Sequence, residues 1–153
     1  MGTPSVVHST FVIERTYPCA PDRVFAAFAD PAKKRRWFYP DTGSQIEELE
    51  IDFRVGGAER KTLRVEQGFV CRNDTIYQDI VPGKRIVLAY TMSVGDQRIS
   101  ASQATVELLP DGNATHLIFT EQAAFFEGAD GPQMRQNGWG TLFKQLEQFL
   151  AQS

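Results

Sequence analysis

The last sixteen residues, "GWGTLFKQLEQFLAQS" (138–153), decide how the rest of the chain must be arranged. Their large apolar side chains are spaced three, one, three, three and one residues apart, which places them on one stripe of a helix: Trp139, Leu142, Phe143, Leu146, Phe149 and Leu150. A helix running from Pro132 to Ala151 would be about 30 Å long. A stripe of that length must be covered, so the chain has to supply a second layer against it.

The middle of the chain supplies that layer as strands. "IEELEIDFRV" (46–55), "KRIVLAYTMSV" (84–94), "RISASQATVELL" (98–109) and "ATHLIFTEQAAFF" (114–126) alternate between apolar and polar residues, which is the period of a strand with one buried face. Turn signals separate them at Pro82-Gly83, Gly95-Asp96 and residues 110–113. Two further segments complete the series: "AERKTLRVEQ" (58–67), a weaker and more polar strand, and "FVCRNDTIYQDIV" (69–81). Connections this short predict an antiparallel meander of about six strands.

The start of the chain adds one strand and two short helices. "HSTFVIERTY" (8–17) alternates and predicts the first strand. "DRVFAAFAD" (22–30) has a helical apolar face, and Asp30 followed by Pro31 begins a second helix. We therefore predict an α+β fold in a single domain over residues 1–153. A curved antiparallel sheet of about seven strands wraps around a long C-terminal helix, and two short helices follow the first strand.

Three segments carry a resemblance to a known family. "TYPCAPDRVFAAFADPAKKRRWF" (16–38), "DFRVGG" (52–57) and "NGWGTLFKQLEQFL" (137–150) resemble the activator of heat-shock protein 90 ATPase homologues, within the START-like or polyketide-cyclase-like superfamily. The resemblance extends from about Thr10 to Leu150 and implies the helix-grip fold. It also implies a hydrophobic cavity between sheet and long helix for a small apolar molecule. It transfers no catalytic residue, because the family has no shared catalytic motif that matches this chain.

Composition narrows the functional classes. The net charge is −3, which disfavours a nucleic-acid-binding surface. No apolar run is long enough for a membrane span, and the first ten residues lack the features of a secretory signal, so we expect a cytoplasmic protein. The only histidines, His8 and His116, and the only cysteines, Cys19 and Cys71, show no metal-ligand spacing. No metal site and no cofactor is predicted.

The candidate ligand-binding residues, chosen from strand parity and from the helix, are Tyr90, Met92, Phe119, Glu121 and Trp139. Tyr90 and Met92 share an inward face, and Glu121 has the same parity as Phe119, so a carboxylate is expected in an apolar interior. Trp139 is expected near the entrance to the space between sheet and helix, because Gly138 and Gly140 on either side of it allow close packing. The alternative is that Glu121 lies at the rim in water, or that a bulge has shifted the alternation of the strand so that Glu121 does not face the interior. The basic run "KKRR" (33–36) spreads around a helix, so we interpret it as solvated.

The leading functional hypothesis is the binding of a small hydrophobic or amphipathic molecule between the sheet and the C-terminal helix. One alternative is a cyclase, dehydratase or hydrolase-like enzyme in the same cavity, with Glu121 or Tyr90 as acid or base. However, no catalytic motif is recognisable. Another alternative is a chaperone or regulatory protein-interaction module. The sequence leaves the oligomeric state open, including a homodimer, and it does not name the ligand.

Overall fold

A computed structural model of the protein describes residues 2–39, 45–65 and 68–152. One strand and two short helices come first: β1 (Val7–Tyr17), α1 (Pro21–Ala29) and α2 (Pro31–Lys34). The meander follows: β2 (Gln45–Ile51), β3 (Ala58–Arg64), β4 (Val70–Val81), β5 (Arg85–Val94), β6 (Gln97–Asp111) and β7 (Ala114–Phe125). The chain then enters α3 (Pro132–Gln152).

All seven strands form one antiparallel sheet in the order β1-β7-β6-β5-β4-β3-β2. Strand β1 forms one edge of the sheet and pairs with β7, the last strand of the chain. The strands from β7 to β2 then lie side by side in reverse chain order, so β2 forms the other edge. Short turns make this order accessible: Gly95, with a φ of 58°, occupies the two-residue connection between β5 and β6. Register shifts mark bulges in β2, β4 and β6, which bend the strands around the helix. The predicted helix-grip architecture is confirmed.

The six stripe residues of α3 are all buried, as their spacing predicts. Phe143 and Leu146 are completely buried in the core, where the Phe143 ring packs against Phe119 of β7 with ring centroids 5.2 Å apart. Polar groups fix the second half of the helix to its surroundings: the Tyr17 hydroxyl donates to the Phe143 carbonyl at 3.0 Å, and Gln145 Nε2 donates to the Trp37 carbonyl at 2.8 Å. This half of α3 therefore seals a filled core.

The interpretation of "KKRR" as wholly solvated is wrong for Lys34. Lys33, Arg35 and Arg36 are exposed, but Lys34 is only 4% exposed and its amine lies 2.6 Å from the Glu59 carboxylate. The reason is that α2 ends at Lys34, on the side of the short helix that faces the inner surface of the sheet. A buried acidic partner holds the charge there.

Candidate functional site

A cavity of about 160 Å³ lies between the first half of α3 and the inner face of β3 to β5. Its apolar walls are Phe38, Leu63, Met92, Met134, Trp139 and Leu142. Its polar walls are Lys61, Asn73, Tyr90, Asp130 and Arg135. Apolar walls with a few convergent polar groups are the usual composition of a small-molecule site. The first half of α3 thus covers a cavity, whereas the second half covers a packed core.

A larger depression of about 700 Å³ lies on the opposite face of the same strands. It is open to solvent, and the exposed ion pairs Arg60–Asp74 and Arg72–Asp74 lie within it. These charges satisfy one another, and exposed pairs of this kind contribute little energy. We therefore place the candidate site in the smaller inner cavity, because its lining is mostly apolar and contains few charges.

Tyr90 connects the cavity to a buried hydrogen-bond network. Its side chain projects inward from β5, and its hydroxyl donates to Glu121 Oε1 at 2.7 Å. The Tyr90 hydroxyl oxygen itself accepts from Arg135 Nη1 at 3.0 Å and from Trp139 Nε1 at 3.3 Å. Ser102, next to Tyr90 in the β5–β6 register, donates to Glu121 Oε2 at 3.3 Å. The network orients Tyr90 and Trp139, two walls of the cavity.

Arg135 brings a positive charge to this network. It is 6% exposed, and both oxygens of Asp130 accept from its guanidinium at 2.9 Å. Its Nη2 also donates to Ser100 Oγ at 2.8 Å, and its Nη1 lies 3.5 Å from Glu121 Oε2. The planar guanidinium group carries several N–H donors, so it can contact all of these groups at once. Arg135 thus locks the start of α3 to the sheet.

Burial is the largest single influence on the pKa values of Glu121, Tyr90 and Arg135. It raises the pKa of Glu121 above the ordinary value, although the Tyr90 hydrogen bond and the Arg135 charge partly offset this. Burial also raises the pKa of Tyr90, and the negative charge of Glu121 adds to it. Tyr90 therefore stays protonated at neutral pH and donates to Glu121. For Arg135 burial acts to lower the pKa, but Tyr90, Asp130 and Glu121 outweigh it, so the side chain stays charged.

A second polar cluster lies beneath β3. Glu59 is 4% exposed, and its Oε1 accepts from Lys34 at 2.6 Å and from the Tyr77 hydroxyl at 2.5 Å. Lys61, two residues further along the strand, is also 4% exposed and lines the cavity. Its amine lies over the Phe38 ring, 3.5 Å from the ring centroid. Burial lowers the pKa of Lys61 to about 7, Glu59 opposes this, and the charge of Lys34 adds to it.

The structure separates the five predicted site residues into three groups. Tyr90, Met92 and Trp139 line the cavity. Glu121 is 0% exposed and lies one layer behind it, joined through the Tyr90 hydroxyl. Phe119 belongs to the packed core, because Trp139 covers it with ring centroids 4.4 Å apart.

Sequence reasoning missed Lys61 and Arg135. The strand "AERKTLR" (58–64) reads as polar, yet its period of two puts Glu59 and Lys61 on the same side as buried Leu63. Arg135 precedes Trp139 by four residues and so extends the stripe of α3. Both side chains could have been located by periodicity, but charge argued against burial.

No three side chains of histidine, cysteine, aspartate or glutamate converge as metal ligands within residues 2–39, 45–65 and 68–152. Among the helices in the described part of the chain, none has the length and apolarity to cross a membrane. Helix-grip geometry and an inner cavity together define a START-like protein.

Within that class, the chain belongs to the family described as Activator of Hsp90 ATPase homolog 1-like protein, whose sequence profile matches residues 18–151. A crystallised protein from Rhizobium loti is 49% identical, with a TM-score of 0.88, over 95% of this chain and 99% of that one. An uncharacterized protein from Rhizobium leguminosarum is 38% identical, with a TM-score of 0.93, over 97% and 98% of the two chains.

A more distant structure shares the fold alone. The AHSA1 protein from Silicibacter pomeroyi is 21% identical, with a TM-score of 0.76, over 94% of this chain and 98% of that one. No curated protein matches the chain. The comparisons therefore define the family and the architecture.

Proposed function

We propose that the protein binds a small hydrophobic or amphipathic molecule in the cavity between the first half of α3 and strands β3 to β5. The cavity itself supports this proposal, because a volume of about 160 Å³ remains where the sheet and helix could have packed closed. A protein cavity of roughly 150 Å³ is known to hold one benzene ring. The expected ligand is therefore about the size of one small ring with a short substituent.

The walls indicate an amphipathic ligand. Phe38, Met92 and Trp139 offer ring and thioether surfaces to an apolar group. Tyr90 and Lys61 carry polar atoms on the same cavity. An apolar body with one polar substituent would satisfy both kinds of wall.

Glycines of α3 allow a matched test. Gly138 lines the cavity, and a Cβ added there meets no atom within 4 Å. Gly138→Leu should therefore fill part of the cavity without a clash, while leucine favours the helix by about 0.8 kcal/mol over glycine. Gly140→Leu is the control, because a Cβ at Gly140 points instead toward Arg15 of β1, 3.8 Å away.

The measurement is the melting temperature during titration with benzyl alcohol. A ligand that binds only the folded state raises it in a saturable way. We expect that rise in the wild type and in Gly140→Leu, and its loss in Gly138→Leu. A rise of equal size in Gly138→Leu would show that the probe binds elsewhere, and no saturable rise in the wild type would refute the proposal for ligands of this size.

A further inference from the structure

Lys61 is the buried cation of the cavity that lacks a close counter-ion. Its nearest hydrogen-bond acceptor is the Phe38 carbonyl at 3.5 Å, and its amine otherwise lies against the Phe38 ring. Across residues 2–39, 45–65 and 68–152, no carboxylate forms an ion pair with it. Unpaired lysines are rarely buried to this extent, because desolvation disfavours the charged form.

The neighbouring cluster explains the missing partner. Glu59 is the nearest acidic side chain on the same strand face, but Lys34 and Tyr77 already occupy its Oε1. Lys34 adds a second positive charge close to Lys61, since its amine lies 4.4 Å from the centroid of the same Phe38 ring. A second cation and a desolvated pocket are two known ways to keep a lysine amine uncharged and nucleophilic.

This environment holds the pKa of Lys61 at about 7. A much larger fraction of the molecules then carries a neutral amine at pH 7 than for a solvated lysine. The side chain also lines the cavity rather than the filled core. A free electron pair is thus available next to the proposed binding space.

We propose that Lys61 reacts with small aldehydes or ketones in this cavity and holds them as an imine. The inference rests on the proposed binding function and specifies its ligand class. The nitrogen electron pair forms a bond to the carbonyl carbon while the carbonyl π bond breaks toward oxygen, and the oxygen takes one proton from the nitrogen to give a carbinolamine. The carbon–oxygen bond then breaks, and the oxygen leaves as water with the two protons that the nitrogen gives up. No oxidant or reductant takes part, and hydrolysis reverses the step.

The test is reductive trapping with benzaldehyde and cyanoborohydride at pH 7, followed by intact mass measurement and peptide mapping. We expect one benzyl group per chain, attached to Lys61 at least ~10-fold faster than to any exposed lysine. Lys61→Met and Lys61→Arg should both lose this rapid labelling. Lys144→Met, a change at an exposed position on α3, should keep it. Lys61→Met should stay folded, because it removes a buried amine without opening a large void.

Parallel melting-temperature titrations with benzyl alcohol and benzoate separate the outcomes. Saturable stabilisation by benzyl alcohol without rapid labelling of Lys61 would overturn the imine and leave the binding proposal intact. Rapid labelling without such stabilisation would support the imine and count against noncovalent binding. Tighter binding of benzoate without any adduct would identify Lys61 as a cationic contact for an anion and overturn its role as a nucleophile. Absence of both labelling and stabilisation would refute both proposals.

Discussion

Glu121 and Lys61 are both buried, but their charges are balanced differently. Glu121 accepts hydrogen bonds from Tyr90 and Ser102 and lies near the Arg135 guanidinium. Lys61 has one long contact to a carbonyl and the face of a ring. A buried ionisable group with good partners is held in one orientation, whereas a buried lysine without a counter-ion loses its proton more readily, and its neutral amine is available to react. We therefore assign Glu121 a positioning role and Lys61 a chemical one.

The stability of the protein should rise with pH between 7 and about 8.5 because of Lys61. Its pKa falls from 10.5 in the unfolded chain to about 7 in the folded protein. In that window the unfolded chain binds a proton that the folded protein has lost, so the free energy of unfolding increases by up to about 1.4 kcal/mol per pH unit. Urea denaturation at several pH values measures this slope.

Lys61→Met is the matched comparison for that slope. Lys34 and Glu59 remain in place in the variant, so only the contribution of Lys61 disappears. The window ends before pH 9, since burial raises the pKa of Cys19 and Cys71 and their contribution has the opposite sign. An identical slope in wild type and variant would mean that Lys61 titrates as a solvated lysine does.

Individual side chains were predictable where a period was unbroken. Glu121 could be placed on the inner face because β7 alternates without a bulge from Leu117 onward. Its partners could not be inferred, because they come from β5, β6 and α3, which are distant in sequence. The burial of Lys34 depends on Glu59, so no local pattern indicated it.

At the scale of elements, α3 is one amphipathic helix that packs against two different surfaces. Its first half carries Arg135 and Trp139 over the cavity, and its second half carries Phe143 and Leu146 into the core. The uniform spacing of the stripe indicated a buried face but not this division. The division depends on how much volume the opposing strands fill, and that is a property of several elements together.

Truncations along the helix should reveal the division. Leu146 is 0% exposed in the filled core, so Leu146→Ala should lower the free energy of unfolding by about 2–5 kcal/mol. Leu142 is 9% exposed and borders the cavity. Leu142→Ala should cost less than Leu146→Ala, because the side chain has fewer neighbours to lose. Urea denaturation of both variants makes the comparison, and equal losses would indicate that α3 packs uniformly.

At the scale of the whole molecule, the order of elements was sufficient to predict the architecture. A strand, two short helices, a meander with short turns and one long amphipathic helix allow few arrangements, and the observed sheet order follows from them. The cavity could not be predicted in the same way. It is the small difference between the volume enclosed by the sheet, α2 and α3 and the volume of the side chains inside.

The central claim is that the space under the first half of α3 binds a small molecule. The two tryptophans of the protein provide the most direct test, because only Trp139 lines the cavity. Trp37 is 0% exposed in the core, and its indole nitrogen donates to the Ala27 carbonyl at 2.9 Å. The measurement is a nitrogen-15 NMR titration with benzyl alcohol. We predict a saturable shift of the Trp139 indole signal with that of Trp37 unchanged, whereas shifts confined to Arg60 and Asp74 on the outer face would contradict the account.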